Sequence, residues 1–237
     1  MSALIFDIET VGEEFDTLDE TTQHLLTRWL KKEYNKEPEY AQELEDLKNG
    51  LGFSPLTGQI VAIGVLDEAT NTGGVYFQAP ETPLEEWDQD GIIFRTLSEK
   101  EMLLKFWKLA STVKEFVSFN GRGFDAPFLM IRSAIHKIRP TKDLMANRYL
   151  SSQPFTAKHI DLMDQLSFYG SVRRKGSLHL YSRAFGIKSP KAEGITGDDV
   201  SRLFKEHRYK DIALYNVADL RATMELYKYW KEFLHFA

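Results

Sequence analysis

Ala3-Leu4-Ile5-Phe6 is an unbroken apolar run, whereas most of the later chain mixes apolar with polar positions. Such a run suits a central strand buried on both faces, with Asp7 at its carboxyl end. From about 16 to 49 the chain turns polar and charged. Leu25, Leu26, Trp29 and Leu30, then Tyr40, Leu44 and Leu47, recur there at helical spacing, which predicts a helical insertion after the first strand, closed by Gly50 and Gly52. Beyond Pro55 and Gly58, Gln59 to Leu66 reads as a strand, and Gly73 to Gln78 as its hairpin partner across Asn71-Thr72-Gly73-Gly74. Ser98 and Glu101 form a capping box for a helix reaching about Ser111. Phe116 to Phe119 predicts a short strand ending at Asn120-Gly121, and Ala126 to about His136 a helix with Pro127 in its first turn. His159 to Leu162 is the last strand signal, and a long helix from about Lys210 to Phe233 closes the chain. The order of elements predicts an α/β fold with a mixed sheet of about five strands flanked by helices. No repeat, low-complexity tract or linker divides 1–237, so a single domain is expected.

Composition narrows the function classes. At 237 residues, 43% apolar and 13% aromatic, the chain can bury a substantial core. A formal net charge of -5 argues against a broad basic face gripping long duplex DNA. It does not exclude a nucleic-acid partner, because divalent cations can bridge acidic residues to phosphate. The absence of cysteine removes disulfides, thiolate metal sites and a Cys nucleophile. With no targeting segment at the start and no run of about eighteen apolar residues, a soluble cytoplasmic protein without a membrane partner is expected.

Against that background, four carboxylates and one tyrosine stand out. Asp7 and Glu9 are two apart, so on an extended segment both side chains point to one side and Ile8 to the other. A solvated strand terminus and a metal grip both fit this pair. Asp125 precedes Ala126-Pro127 and would serve as a helix cap. It also follows the post-strand loop from Asn120 to Phe124, where open α/β sheets place their sites. Tyr215 and Asp219 lie one helical turn apart and share a face, as a core tyrosine with an edge aspartate would, or as a phenol and a metal ligand presented together.

Asp7-Ile8-Glu9, Asn120 through Phe124-Asp125, and Tyr215-x-x-x-Asp219 resemble, in order and spacing, the three exonuclease motifs of the DEDD superfamily in its tyrosine-containing (DEDDy) branch. Gly58 to Gly64 is similar to the second strand of those domains. The resemblance is to stand-alone predicted exonucleases related to the proofreading domain of family B DNA polymerases, and it covers the chain outside about 16–49. It implies a ribonuclease H-like fold and a 3′-5′ exonuclease acting on single-stranded DNA or RNA 3′ ends, DNA ahead of RNA, and releasing nucleoside 5′-monophosphates. Two divalent ions would clamp the scissile phosphate, one activating water and one stabilising the leaving 3′ oxygen. Asp7 would bridge both ions, Glu9 and Asp219 would bind the water-activating ion, and Asp125 would hold the other through water. Hard oxygen ligands suit Mg²⁺ or Mn²⁺. Tyr215 would orient the attacking water, and Asn120 and Phe124 are candidate substrate contacts.

Other residues have weaker signals. His159 and Asp161 fit a structural strand end as well as an added ligand. Arg173-Arg174-Lys175, Lys188 and Lys191 fit solvated surface as well as phosphate contacts. A non-catalytic nucleic-acid-binding module of the same fold, or a metal-dependent endonuclease, would carry many of the same residues.

Overall fold

Side chains of β1 (Leu4–Gly12) alternate between two cores in the computed structural model, which describes residues 2–34, 36–82, 84–188 and 197–236. Leu4, Phe6 and Ile8 pack with Phe106, Phe116 and Leu129 on one face, while Ala3, Ile5 and Val11 pack with Val61, Ile212 and Leu226 on the other. The apolar run is therefore a strand buried from both sides, and each fully buried side chain of this size contributes about 2 to 3 kcal/mol. Odd-numbered positions face one helical layer and even-numbered positions the other, which fixes where Asp7 and Glu9 must point.

After β1 the chain makes an excursion through α1 (Glu20–Thr27), α2 (Leu30–Glu33) and α3 (Glu37–Gly50), closed by a 3-10 turn at Leu51–Phe53. Asp19 caps α1 by accepting from the Thr22 N–H at 3.0 Å. The chain returns as β2 (Gly58–Asp67) and continues through β3 (Gly73–Phe77), β4 (Trp87–Gln89), β5 (Ile92–Thr96), α4 (Glu99–Ala110), β6 (Glu115–Ser118), α5 (Asp125–Ile135) and β7 (Lys158–Asp161). It ends in α6 (Leu162–Leu166), α7 (Leu178–Ala184), α8 (Val200–Lys205) and α9 (Tyr209–Phe233). Ser98 and Glu101 close the expected capping box on α4.

The described strands form one mixed sheet in the order β4-β5-β3-β2-β1-β6-β7. This is seven strands where about five were expected, and the addition is the β4–β5 hairpin. Asp90 and Gly91 turn it with φ of 54° and 77°, the left-handed pair that a two-residue hairpin needs. Trp87 then stacks on Phe94 with centroids 4.5 Å apart.

A second correction concerns Asp7, which lies inside β1 rather than at its carboxyl end. Antiparallel pairing with β2 holds β1 extended as far as Gly12↔Gly58, whereas parallel pairing with β6 stops at Ile5↔Val117. Beyond Ile5, one edge of β1 is thus open while the other stays zipped.

α9 lies across one sheet face, burying Ile212, Tyr215, Asn216, Leu220, Thr223, Leu226 and Trp230 at helical spacing. α4 and α5 cover the other face. There the buried Glu99 accepts from Ile60 N–H at 2.8 Å, from Arg132 at 2.8 Å and from His136 Nε2 at 2.7 Å, tying β2, α4 and α5 together. No described helix is long and apolar enough to cross a membrane.

Candidate metal centre

Asp7 and Glu9 point to the α9 side of the sheet, opposite two small residues of β2: the cross-strand partners are Asp7↔Gly64 and Glu9↔Ala62. Smallness there has a steric cause. A Cβ on Gly64 would lie 1.8 Å from Asn216 Oδ1 and 2.7 Å from Leu220 Cδ1, so only glycine lets α9 come this close. The close approach brings Asp219 to the strand carboxylates. Asp7, Glu9 and Asp219 each offer an oxygen, and these oxygens all lie within 4.8 Å of one another. Among the described residues this is the one group of acidic, histidine or cysteine side chains with that geometry.

Asn216, which no sequence signal singled out, stands at the centre of the group. It is fully buried, and its Nδ2 donates to Asp7 Oδ2 at 2.7 Å and to Glu9 Oε1 at 3.5 Å. Its Oδ1, the atom turned towards Gly64, has no hydrogen-bond partner. The available hint was its place three residues before Asp219, which puts both on one helical face. Tyr215, also buried, hydrogen-bonds through its phenol to Asp219.

Asp125 is held differently. The first expectation, that it caps the following helix, does not hold: Phe124 occupies the cap position and Asp125 is the first helical residue. Its Oδ1 instead accepts from the Ile8 N–H at 3.0 Å, on the β1 edge that β6 has left open. The carboxylate thereby takes the place of a missing strand partner, between Asp7 and Glu9 in sequence, and lies outside the three-residue cluster.

Crowding of acids shows in their proton affinities. Burial, then the charges of Asp125, Glu9 and Asp219, pushes the Asp7 carboxyl well above the ordinary carboxylate range. Burial and then the Asp219 charge do the same to Glu9, against the opposing hydrogen bond from Asn216. Asp125 is pushed up to about 7 by burial, in spite of the stabilising Ile8 N–H. Burial first, then the Asp219, Glu9 and Asp7 charges, holds the Tyr215 phenol well above its usual value. A divalent cation is the group that relieves this repulsion, and a donor set made only of carboxylate oxygens fits a hard cation.

The remaining candidates separate cleanly. His159 is buried, and burial lowers its pKa to about 4, so the ring is neutral at neutral pH. Its Nδ1–H donates to the Leu144 carbonyl at 3.0 Å, which leaves Nε2 to accept from Ser118 Oγ at 2.7 Å, and neither nitrogen remains for a metal. Asp161 caps α6 through Met163 N–H and also accepts from the backbone N–H groups of Asn120 and Arg122 at 3.0 and 2.9 Å. It is the clamp that shapes the loop leading to Asp125. Asn120 turns that loop at a φ of 62°, and Phe124 packs on Phe128 with centroids 5.4 Å apart. Arg173, Arg174, Lys175 and Lys188 are exposed, and Lys191 lies outside the described residues.

Beside the cluster opens a cleft of about 510 Å³ whose lining includes Glu9, Thr10, Asn49, Phe53, Phe124 and Arg202. Two of its walls are thus the strand that carries Glu9 and the end of the helical excursion.

Residues 59–234 match the model of a family described as a predicted 3′-5′ exonuclease related to the exonuclease domain of PolB. The matched span includes Asp125, Tyr215 and Asp219 and begins after Asp7 and Glu9. No curated protein matches the chain. Among solved structures, the family B DNA polymerase from the hyperthermophilic archaeon Pyrobaculum calidifontis aligns with 97% of this chain at 15% identity and a TM-score of 0.58. The aligned region is 24% of that polymerase, so the chain spans about a quarter of its length. The likeness shows a shared fold, the ribonuclease H-like α/β architecture with a mixed sheet flanked by helices.

Proposed function

Because the chain belongs to the family of predicted 3′-5′ exonucleases related to the exonuclease domain of PolB, we propose that it is a metal-dependent 3′-5′ exonuclease of the DEDDy type. Its substrate would be the 3′ end of single-stranded nucleic acid, DNA ahead of RNA, and its product nucleoside 5′-monophosphates. The observation that carries this reading is the convergence of Asp7, Glu9 and Asp219 within 4.8 Å, with Tyr215 bonded to Asp219.

Asp7, Glu9 and Asp219 would hold Mg²⁺ or Mn²⁺, and Asp125, whose charge acts on Asp7, would serve a second ion. Two such ions, when bound, supply an activated water and stabilise the leaving 3′ oxygen. The chain's own residues do the rest. Asn216 fixes the rotamers of Asp7 and Glu9 by donating to both. Asp125 is anchored to Ile8, so its position relative to β1 is set by the backbone. Tyr215 keeps its proton at neutral pH, since its surroundings raise an already high pKa. It can therefore orient the attacking water by hydrogen bonding, and it does not act as the base.

Labelled DNA and RNA oligonucleotides, incubated with purified protein in Mg²⁺ or Mn²⁺, test the proposal. Stepwise shortening from the 3′ end is expected, abolished by Asp7→Ala and absent on circular single strands. No cleavage of any end structure would sink it, as would activity unchanged by Asp7→Ala, which marks a contaminant.

A further inference from the structure

We propose that the helical excursion positions Phe53 as a stacking wall for the unpaired terminal nucleobase, an inference that rests on the nuclease reading above. Phe53 is 59% exposed, yet the backbone beneath it is fixed. Leu51, two residues earlier, is only 4% exposed, and its carbonyl accepts from Thr57 Oγ1 at 2.8 Å. The Gly52 carbonyl accepts from Thr10 Oγ1 at 2.7 Å, on the strand that carries Glu9. Gly12 and Gly52 touch so closely that a Cβ on Gly12 would meet Leu51 Cβ at 2.7 Å and Gly52 N at 2.8 Å. An aromatic ring left in solvent on an immobilised backbone is a preorganised contact surface, because binding has little freedom left to remove.

Its location gives the ligand class. Phe53 shares the 510 Å³ cleft with Glu9, so the ring stands beside the carboxylate cluster. Phe124 meets it edge-on, with centroids 6.4 Å apart and planes at 64°, and is itself braced by Phe128. One flat wall with a second inclined against it suits one base plane, and Asn49 adds an amide able to donate and accept at the base edge. Phosphate recognition is not what this wall offers. Arg202, the cation lining the cleft, is engaged by Asp199 at 2.8 Å and Glu206 at 3.2 Å. The excursion over 16–49 carries nine Asp or Glu against five Lys or Arg, which repels a strand's backbone. Base stacking is the contact that tolerates such surroundings.

The test is a cycle between protein and substrate. Single-stranded DNA with 2-aminopurine at its 3′ end, and the same oligonucleotide with an abasic 3′ nucleotide bearing an internal fluorophore, are titrated in EDTA, and their KM and kcat are measured in Mn²⁺. Wild type should prefer the base-bearing end by about ten-fold, the scale of one aromatic–base stack. Phe53→Ala should lose that preference while keeping the wild-type melting temperature, since the side chain is exposed, and Phe53→Trp should retain it. A Phe53→Ala protein that still prefers the base-bearing end as wild type does overturns the inference and leaves the nuclease reading intact. A wild type that neither binds nor cleaves either oligonucleotide overturns both.

Discussion

Gly64→Ala is the smallest change that should disable the site without touching a carboxylate. The new methyl would sit 1.8 Å from Asn216 Oδ1, where an ordinary contact needs 3.4 Å or more. Something must therefore move by about 1.6 Å, and there are two ways. Asn216 can swing aside, which breaks its 2.7 Å bond to Asp7 and leaves a carboxylate without its donor. Otherwise α9 retreats and takes Tyr215 and Asp219 with it. Leu220 Cδ1, 2.7 Å from the methyl, makes the first route incomplete. Overpacking of this kind costs about 1 to 3 kcal/mol, which in a domain of this length lowers the melting temperature by roughly 2 to 12 °C. Losing a hydrogen bond to a charged group costs about 1.5 to 3 kcal/mol, so Mn²⁺ affinity should fall by about ten-fold or more. Thermal unfolding by circular dichroism and calorimetric Mn²⁺ titration measure the two effects. The double variant Gly64→Ala/Asn216→Ala supplies the decisive comparison, because it removes the clashing amide. Its loss of stability should be at least about 1 kcal/mol smaller than the sum of the single losses. Wild-type melting and Mn²⁺ binding in Gly64→Ala, or strict additivity in the double variant, would refute the claim that this glycine sets the helix-to-strand distance.

Two further outcomes follow from the same geometry. In chelator, the raised Asp7, Glu9 and Asp125 carboxyls bind protons more tightly folded than unfolded, so stability should fall as pH rises from about 4, the unfolded value, through about 7 for Asp125, by at most ~1.4 kcal/mol per pH unit for each group. Urea unfolding from pH 5 to 8 checks this; Mn²⁺ should recover stability at pH 8 far more than at pH 5, and a chelated protein most stable at pH 8 would contradict it. Tyr215→Phe should lower kcat by about ten- to a hundred-fold and leave the Mn²⁺ dissociation constant within two-fold, and an equal loss in both quantities would show that the phenol supports the metal site itself.

Much of the fold was legible because apolar phase and local signals agreed. The double burial of Leu4 to Phe6, the Ser98–Glu101 box and the long α9 each followed from patterns spanning a few residues. The β4–β5 hairpin had a signal too, Asp90-Gly91 between Trp87 and Ile92, but its two strands are only three and five residues long and too short to show alternation. The site was legible as residue types and obscure as contacts. Asp7, Glu9, Tyr215 and Asp219 could be paired by period, since each pair lies within one strand or one helical turn. The fate of Asp125 could not be read that way, because the Ile8 N–H it meets is 117 residues distant and free only where β6 departs. Asn216 and Phe53 escaped for the same reason: one acts by facing a glycine on another strand, the other by standing on a backbone pinned to β1.

The bond from Asn216 to Asp7 joins residues 209 apart. During synthesis Asp7 therefore emerges 209 residues ahead of Asn216, on the helix that completes the cluster. Until α9 docks, Asp7 and Glu9 have neither Asp219 nor Tyr215 beside them. A partly made chain on the ribosome therefore lacks the assembled carboxylate cluster. Chain order alone thus delays assembly of the cluster until α9 has been made.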